Sequence, residues 1–555
     1  MIRNHTLIYR SQHNFYAILI SFFFILLMNC STEENQFTNS KYRFIYNNDG
    51  TEILGNRWHN FRPLTVEDVH SYVDIVATTP VTTFMICSGS MLMYYNSKYE
   101  RPLGVLKIGQ KYDEANDSKL NENISHYGVN YKLLQEQGTD IMELCINRAK
   151  EKGMEAFITM RMNDLHFTDP ELYCPRAQSD IWLEHPEWRM GNYPGWHADG
   201  ALNFAHEGVR EYKLNLIREQ CELYDIDGIE LDFMRFIVYF PYGKGRDYLD
   251  VMTDFIAKAR GIVDDVGQKR SRPILLAVRV PARFDLCIEK GLDVPNWERK
   301  NLIDMITVSS HWLGDPALPV CEFKEKLGPT NIPIYASLES GQYNPYEFRS
   351  HGMYRAIAAR CFQNGADGVY LFNFFFKEYM EQQTACTSTE EQIVCSNKTP
   401  ELLAELGNRK SLKKKNKLYS LSDGTTEYGY QPNTPLPVLV SPWDQINVDF
   451  DLAETFEDVI PKQVYLFLRF DKCDKIQIFF NEQNTVEVDA SLIRKFKRDA
   501  NLKGSECIIV KSVPINAIED GVNKIAIRSY SPIPLTLKRV ELAMRYGDVN
   551  KYGYF

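Results

Sequence analysis

At 555 residues the chain is too long for a single small domain. A prior of one domain per ~150 residues allows about three or four, and one elaborated barrel can absorb more than half of the length. Hydrophobic residues at 44%, charged residues at 25% and aromatics at 13% exclude a disordered or fibrous protein, and Lys+Arg 63 against Asp+Glu 73 gives a net charge of −10 with no basic stripe to neutralise a phosphate backbone. No nucleic acid partner is expected.

Arg3 and Arg10 precede an uncharged stretch from Phe15 to Asn29, whose apolar core Ile18–Met28 stops just before Cys30. That stretch is too short for a spanning helix of a mature protein and reads as a secretory signal. Leu27-Met28-Asn29-Cys30 resembles a bacterial lipobox, which implies a signal peptide over 1–29, lipidation of Cys30, a tether over 30–41 and a membrane partner through the lipid anchor. Ordinary secretion is the alternative. Ser31-Thr32-Glu33-Glu34-Asn35 is similar to the start of surface-exported lipoproteins of the Bacteroides type. The location implied is the cell envelope of a Gram-negative bacterium, as an outer-membrane or surface lipoprotein, or otherwise the periplasm or the medium. Besides Cys30, eleven Cys are scattered without a C-x-x-C pair, which disfavours a zinc ribbon and a dense disulfide framework. Cys386 and Cys395 bracket a polar loop and are placed to pair in an oxidising compartment, and the rest are expected mostly as buried free thiols.

From residue 42 to about 375, short β-rich runs alternate with helical patterns. The expected strands are Arg43–Tyr46, Thr82–Cys87, Glu155–Arg161, Gly228–Phe233, Ile274–Val280, Met305–Ser309, Ile332–Leu338 and Gly368–Asn373. Helices are clearest at Asp140–Lys152, Val209–Tyr224, Tyr248–Val266 and Tyr346–Gln363. Eight such units predict an α/β fold, a (β/α)₈ TIM barrel over 42–400. The loops after strands two and three are long, Ser88 to about Thr139 and Met162 to about His206, and barrel loops of that size build substrate sites. The second holds Trp182, Trp188, Trp196, His166, His185 and His197, whose rings either stack on sugars or pack the insertion.

A polar stretch follows, then helical Pro400–Leu406 and the basic run Arg409–Lys417, read as a solvated helix or linker within 401–436. Alternating strands from about Pro437, among them Val464–Phe470, Ile476–Phe480, Cys507–Val513, Lys524–Tyr530 and Leu535–Tyr546, predict a C-terminal all-β sandwich over 437–555. The phrase Pro514–Ile525, with its Gly521-Val522-Asn523 turn, resembles the late hairpin of galactose-binding-like sandwiches, which implies either sugar binding or packing against the barrel.

Strand four reads Asp227-Gly228-Ile229-Glu230-Leu231-Asp232-Phe233-Met234-Arg235, and period-two alternation turns Glu230 and Asp232 into the barrel. Charged side chains are rarely buried without partners, so two acids there indicate chemistry, or else an internal ion-pair network with Arg161, Arg235 and Arg279. Strand three delivers Arg161, Asn163 and His166 to the rim within six residues, and a rim histidine is suited to acid/base work. Asp49 follows strand one in an Asn-Asp-Gly turn. Further rim candidates are Ser310, His311 and Trp312 after strand six, Glu339 after strand seven and Asn373 on strand eight. Three rim arginines without a phosphate-cradling glycine loop point to a ligand bearing a carboxylate or sulfate. HExxH, Walker A, GxGxxG and GxSxG motifs do not occur at a fitting junction, and neither metal nor cofactor is expected.

The run Asn203-Phe204-Ala205, Val209-Arg210-Glu211-Tyr212 and Tyr224 through Phe236, with the Pro186-Glu187-Trp188 loop, resembles glycosyl-hydrolase-like barrels of bacterial glycan-utilisation systems. The resemblance spans most of 42–375 and implies carbohydrate metabolism. A finer likeness is to the inverting barrel sialidases. It implies that Asp49 and His166 carry acid/base work, that Arg161 and Arg235 hold the sugar carboxylate, and that Asn373 contacts substrate. The expectation is a secreted or lipid-anchored glycosidase acting on a sialylated or other anionic glycan, most specifically an inverting exo-sialidase. Arg161, Asn163, Arg235, Arg279, His311, Trp312 and Asn373 are the expected substrate-binding residues; the rivals are a glycosidase that sets Asp232 or Glu230 opposite Glu339, and a non-catalytic glycan-binding lipoprotein.

Overall fold

The computed structural model describes residues 42–55, 62–108, 119–168, 174–195, 197–310, 317–339, 351–376, 399–421, 435–454, 456, 460–489, 491 and 502–547. Eight parallel strands, β1 (Phe44–Asn48), β2 (Thr83–Cys87), β3 (Glu155–Arg161), β4 (Gly228–Asp232), β5 (Leu275–Pro281), β6 (Met305–Ser309), β7 (Ile334–Glu339) and β8 (Gly368–Phe372), close into a barrel in sequence order. The predicted (β/α)₈ fold is the observed one, with strand ends displaced by a residue or two.

Alternation along the strands fills the interior in layers. At the N-terminal end Arg43 places Nε 2.7 Å and Nη2 2.9 Å from the Glu155 carboxylate, which also accepts Thr83 Oγ1 at 2.7 Å. This ion pair closes the bottom of the barrel. Above it Ile45, Met85, Phe157, Ala277, Met305, Tyr335, Tyr370 and Phe372 form an apolar plug. Phe157 fits because its neighbour on β4 is Gly228, where a Cβ would lie 2.1 Å from the ring. The outward residues join the helices in one continuous core.

The helices Ile141–Glu151, Glu207–Leu223 and Leu249–Lys269 match the expected ones, as does His351–Gln363 for the part of the expected Tyr346–Gln363 that lies within the described residues. Val66–Ala77 adds another between β1 and β2, opened by a capping box of Thr65 and Asp68. The long insertion after β2 carries a helix at Lys119–Gln135.

The basic run read as a solvated helix or linker keeps Arg409, Lys410 and Lys413–Lys415 exposed, and only its end departs from that reading. Asn408 caps a short helix, Arg409–Leu412, and the chain then enters β9 (Lys417–Ser420). Lys417 is buried because Nζ meets Glu454 at 2.8 Å. β9 lies beside β18 (Leu535–Arg545), in the sheet ordered β10 (Val438–Val440), β18, β12 (Gln463–Phe470), β16 (Cys507–Ser512), β15 (Val486–Glu487). The facing sheet is β11 (Gln445–Leu452), β17 (Gly521–Ser529), β13 (Ile476–Phe480), β14 (Gln483–Asn484). These sheets form the expected sandwich. Cys473 and Cys507 are joined by a disulfide across 34 residues, a pairing not anticipated, while Cys386 and Cys395 lie outside the described residues. Helix His351–Gln363 is the seam with the barrel, through Arg360 to Asp451 at 2.8 Å and Gln363 to Asp520 at 2.7 Å.

Candidate active site

The C-terminal ends of the strands converge on a ring of polar side chains. Register places Arg161 beside Asp232 and Asp232 beside Arg279, all inward. Two connected groups result, one at the rim and one a layer deeper.

At the rim, Gly50 takes φ +79° and has the Tyr94 ring against it, 2.8 Å from where a Cβ would stand. That turn presents Asp49 to the mouth. Asp49 accepts Thr51 Oγ1 at 2.6 Å and Thr51 N at 3.0 Å, Asn373 Nδ2 at 2.9 Å and Arg161 Nη2 at 3.1 Å. Burial alone pushes its carboxyl up, but the Arg161 charge and these donors outweigh burial and hold it below the usual range. Asp49 is therefore a held carboxylate. Arg161 turns its other nitrogen to Asp164, Nη1 to Oδ2 at 2.9 Å.

Asp164 uses its second oxygen on His166, accepting the backbone N–H at 2.8 Å and pairing with Nδ1 at 2.6 Å. On the far side of the ring, Nε2 lies 3.0 Å from Nη2 of Arg235. A guanidinium only donates, so Nε2 is the acceptor and Nδ1 carries the proton. The imidazole is neutral. Burial is the largest cause lowering its pKa, Asp164 works against it and the Arg235 charge adds to it. The His166 side chain keeps 31% exposure, whereas Asp164 is sealed. Phe167, next in the chain, adopts φ 67°, strain of the kind that clusters at functional loops. Arg235 is held below its ordinary pKa by burial and then by the like charge of Arg161, so two cations bear on one another at this mouth.

The deeper group centres on Arg279. It donates from Nη1 to Asp232 at 3.0 Å, and from Nη2 to Ser309 at 3.0 Å and to Glu339. Glu339 also accepts Ser309 Oγ at 2.8 Å and Ser337 Oγ at 2.7 Å. Arg279, Asp232 and Glu339 are each at most 2% exposed. Beneath them Glu230 accepts Thr159 Oγ1 at 2.7 Å and Tyr370 OH at 2.8 Å, and burial followed by the Asp232 charge pushes it up to about 7.

This geometry separates the candidates. Asp49, Arg161, His166, Arg235 and Asn373 fall into one hydrogen-bonded chain, whereas Asp232 and Glu339 have Arg279 between them. Arg279 bridges Asp232 and Glu339 as Arg161 bridges Asp49 and Asp164, the ion-pair arrangement that the sequence offers beside substrate binding for both arginines. Glu230, read as catalytic, is fully buried below the mouth. Asn163 is not free for a ligand, because its amide donates to the Leu202 and Val238 carbonyls and accepts Leu202 N–H at 3.1 Å, tying loops together. Trp182 packs the insertion, with Nε1 donating to Gly200 at 2.7 Å and Arg189 stacked 3.5 Å over it. Trp188 stacks on His185 at 3.8 Å. Trp196, His311 and Trp312 lie outside the described residues. Asp164 went unread in the sequence, although its place two residues before a histidine and three after an arginine is the signal that finds it. Among the described residues no cluster of three or more His, Cys, Asp or Glu is set to hold a metal ion.

No family model and no curated protein sequence matches the chain. Solved structures do. The endo-beta-1,4-mannanase of Thermotoga petrophila is similar at TM-score 0.44 and 10% identity, over 91% of this chain and 99% of that one. The alpha-L-fucosidase isoenzyme 2 of Paenibacillus thiaminolyticus aligns at 0.38 and 14%, over 65% and 48%. A maltogenic alpha-amylase of Thermotoga neapolitana aligns at 0.37 and 13%, over 90% and 99%. Likeness at these scores carries no weight for activity.

Proposed function

We propose that this chain is an exported glycoside hydrolase acting on an anionic sugar, most specifically an inverting exo-sialidase. The observation that supports it best is the continuous chain Asp49–Arg161–Asp164–His166–Arg235 at the barrel mouth. Arg161 and Arg235 are buried guanidiniums below the mouth, and a sugar carboxylate would be held by Arg235 and by Arg161 beside its own pairs with Asp49 and Asp164. Asp49, held ionised, takes a proton from the attacking water. His166, once protonated, delivers one to the oxygen of the leaving group as the glycosidic bond breaks. Water oxygen ends on the anomeric carbon, and the two protons balance through solvent. The glycosidase reading built on Asp232 and Glu339 is less supported, since Arg279 donates to both carboxylates and ties them in one ion-pair group.

Export agrees with the Cys473–Cys507 disulfide, a bond that persists in oxidising compartments. Anchoring through Cys30 to a Gram-negative outer membrane belongs to the same proposal and rests on the sequence alone. The test is incubation with a panel of sialylated, uronic and sulfated glycans, with identification of any released monosaccharide. Release of sialic acid is the expected result. Release of a neutral sugar only overturns the anionic-substrate reading, and retention of glycan without release favours a binding lipoprotein.

A further inference from the structure

Resting on that reading, we infer that Arg235 is the specificity-determining residue, acting as a cap on His166 that an anionic substrate removes. The acid is armed only when the right sugar is bound.

The hydrogen bonds around His166 conflict with its use as an acid. A general acid must carry a proton on the nitrogen that faces the substrate. Nδ1 is committed to Asp164 at 2.6 Å, so that nitrogen is Nε2, and Nε2 is occupied as an acceptor by Arg235 at 3.0 Å. While the guanidinium stays there, Nε2 cannot be protonated, because two donors would face each other and two cations would share one hydrogen-bond contact. The charged groups that bear most on the imidazole are Asp164 on its own loop, Arg235 beyond β4 and Arg161 at the end of β3. Asp164 favours the imidazolium and the two arginines oppose it.

A carboxylate arriving between Arg161 and Arg235 reverses the balance. It gives Arg235 a better acceptor than a neutral imidazole nitrogen, frees the Nε2 lone pair, and adds a negative charge beside the ring. His166 then takes a proton from solvent and becomes a donor aimed at the mouth. A neutral sugar offers Arg235 no charged acceptor and leaves the cap in place. Specificity for anionic sugars thus resides in the proton on His166 as well as in binding.

The test is ¹⁵N NMR of protein labelled at histidine, with the His166 signals assigned by their loss in His166→Gln. The free protein is expected to show a protonated Nδ1 and an unprotonated Nε2 at pH 7. Saturating N-acetylneuraminic acid is expected to convert Nε2 to the imidazolium position, and galactose to leave it unchanged. Arg235→Gln is expected to raise the His166 pKa without any sugar, increasing the imidazolium-to-imidazole ratio at pH 7 by about ten- to a hundredfold, the scale of a lost charge-assisted contact. If N-acetylneuraminic acid binds by calorimetry while Nε2 stays unprotonated, the cap is overturned and the hydrolase reading stands. If no anionic sugar binds, the hydrolase reading and the cap fall together. A wild-type Nε2 that is already protonated overturns the cap alone, as does an unshifted pKa in a folded Arg235→Gln.

Discussion

Asp164 Oδ1 lies 2.6 Å from Nδ1 of His166, and its other oxygen lies 2.9 Å from Arg161. One buried carboxylate therefore fixes both the tautomer of the imidazole and the orientation of an arginine that faces the mouth. The local chain makes this possible, since the His166 backbone N–H closes a short turn onto the same Oδ1.

Asp164→Asn preserves shape but replaces the acceptor charge. The imidazole loses the partner that keeps its proton on Nδ1, and turnover is expected to fall by ~10²–10⁴-fold with a smaller change in KM, as when the orienting acid of a histidine is removed. Steady-state kinetics on the substrate released in the glycan panel checks this. A parallel change in kcat and KM with a lowered melting temperature would point to a merely structural carboxylate.

Glu230 offers a test of the deeper layer by stability alone. Its folded pKa is raised from 4.5 to about 7, so the native state binds this proton more tightly than the unfolded chain does. Stability from this group is complete below the unfolded value and is lost as pH rises through the folded one. The loss is of order 3 kcal/mol at most between pH ~4 and ~8. Glu230→Gln keeps the acceptor for Thr159 and Tyr370 and removes the titration. Thermal melts at a series of pH values are expected to show the variant gaining on the wild type as pH rises from 5 to 8. A pH-independent difference would mean that Glu230 is ionised throughout.

The lipid anchor is tested apart from the chemistry. Cys30→Ala is expected to move the protein from the membrane fraction to the soluble one. Unchanged membrane association would remove the lipoprotein claim, and a wild type already soluble would indicate plain secretion.

The barrel was legible because its strands follow a simple rule, with inward and outward residues alternating between helices of clear periodicity. β9 was not, since Lys410 and Lys413–Lys415 look solvated and only pairing with β18 and the Glu454 partner explain a buried Lys417. Helix Val66–Ala77 carried its own signal in Thr65-Val66-Glu67-Asp68 and in Val69, Tyr72, Val73 and Val76. At the site, residue types and strand ends could be read, whereas bonding could not. Strand alternation alone does not separate Arg161, Arg235 and Arg279. Tertiary geometry joins the first two to His166, Arg161 through Asp164 and Arg235 directly, and sets the third between Asp232 and Glu339.

That division decides the last prediction. If the rim chain performs the reaction, His166→Ala should cut turnover by ~10²–10⁴-fold with a smaller effect on affinity, the range for loss of general acid/base catalysis. Asp232→Asn should act differently, because it leaves Arg279 with half its buried counterions. Its expected signature is a lowered melting temperature, on the scale of ~3–5 kcal/mol for breaking a buried ion pair, with turnover per folded molecule largely kept. Measuring kcat and melting temperature on both variants separates the two cases. A folded Asp232→Asn or Glu339→Gln that is inactive, beside a nearly fully active His166→Ala, would transfer the chemistry to the deeper carboxylates. NMR of the first product adds an independent criterion. Inverted anomeric configuration is expected where Asp49 directs water to the face opposite the leaving group, and a retained configuration would reject that mechanism even with sialic acid as the sugar released.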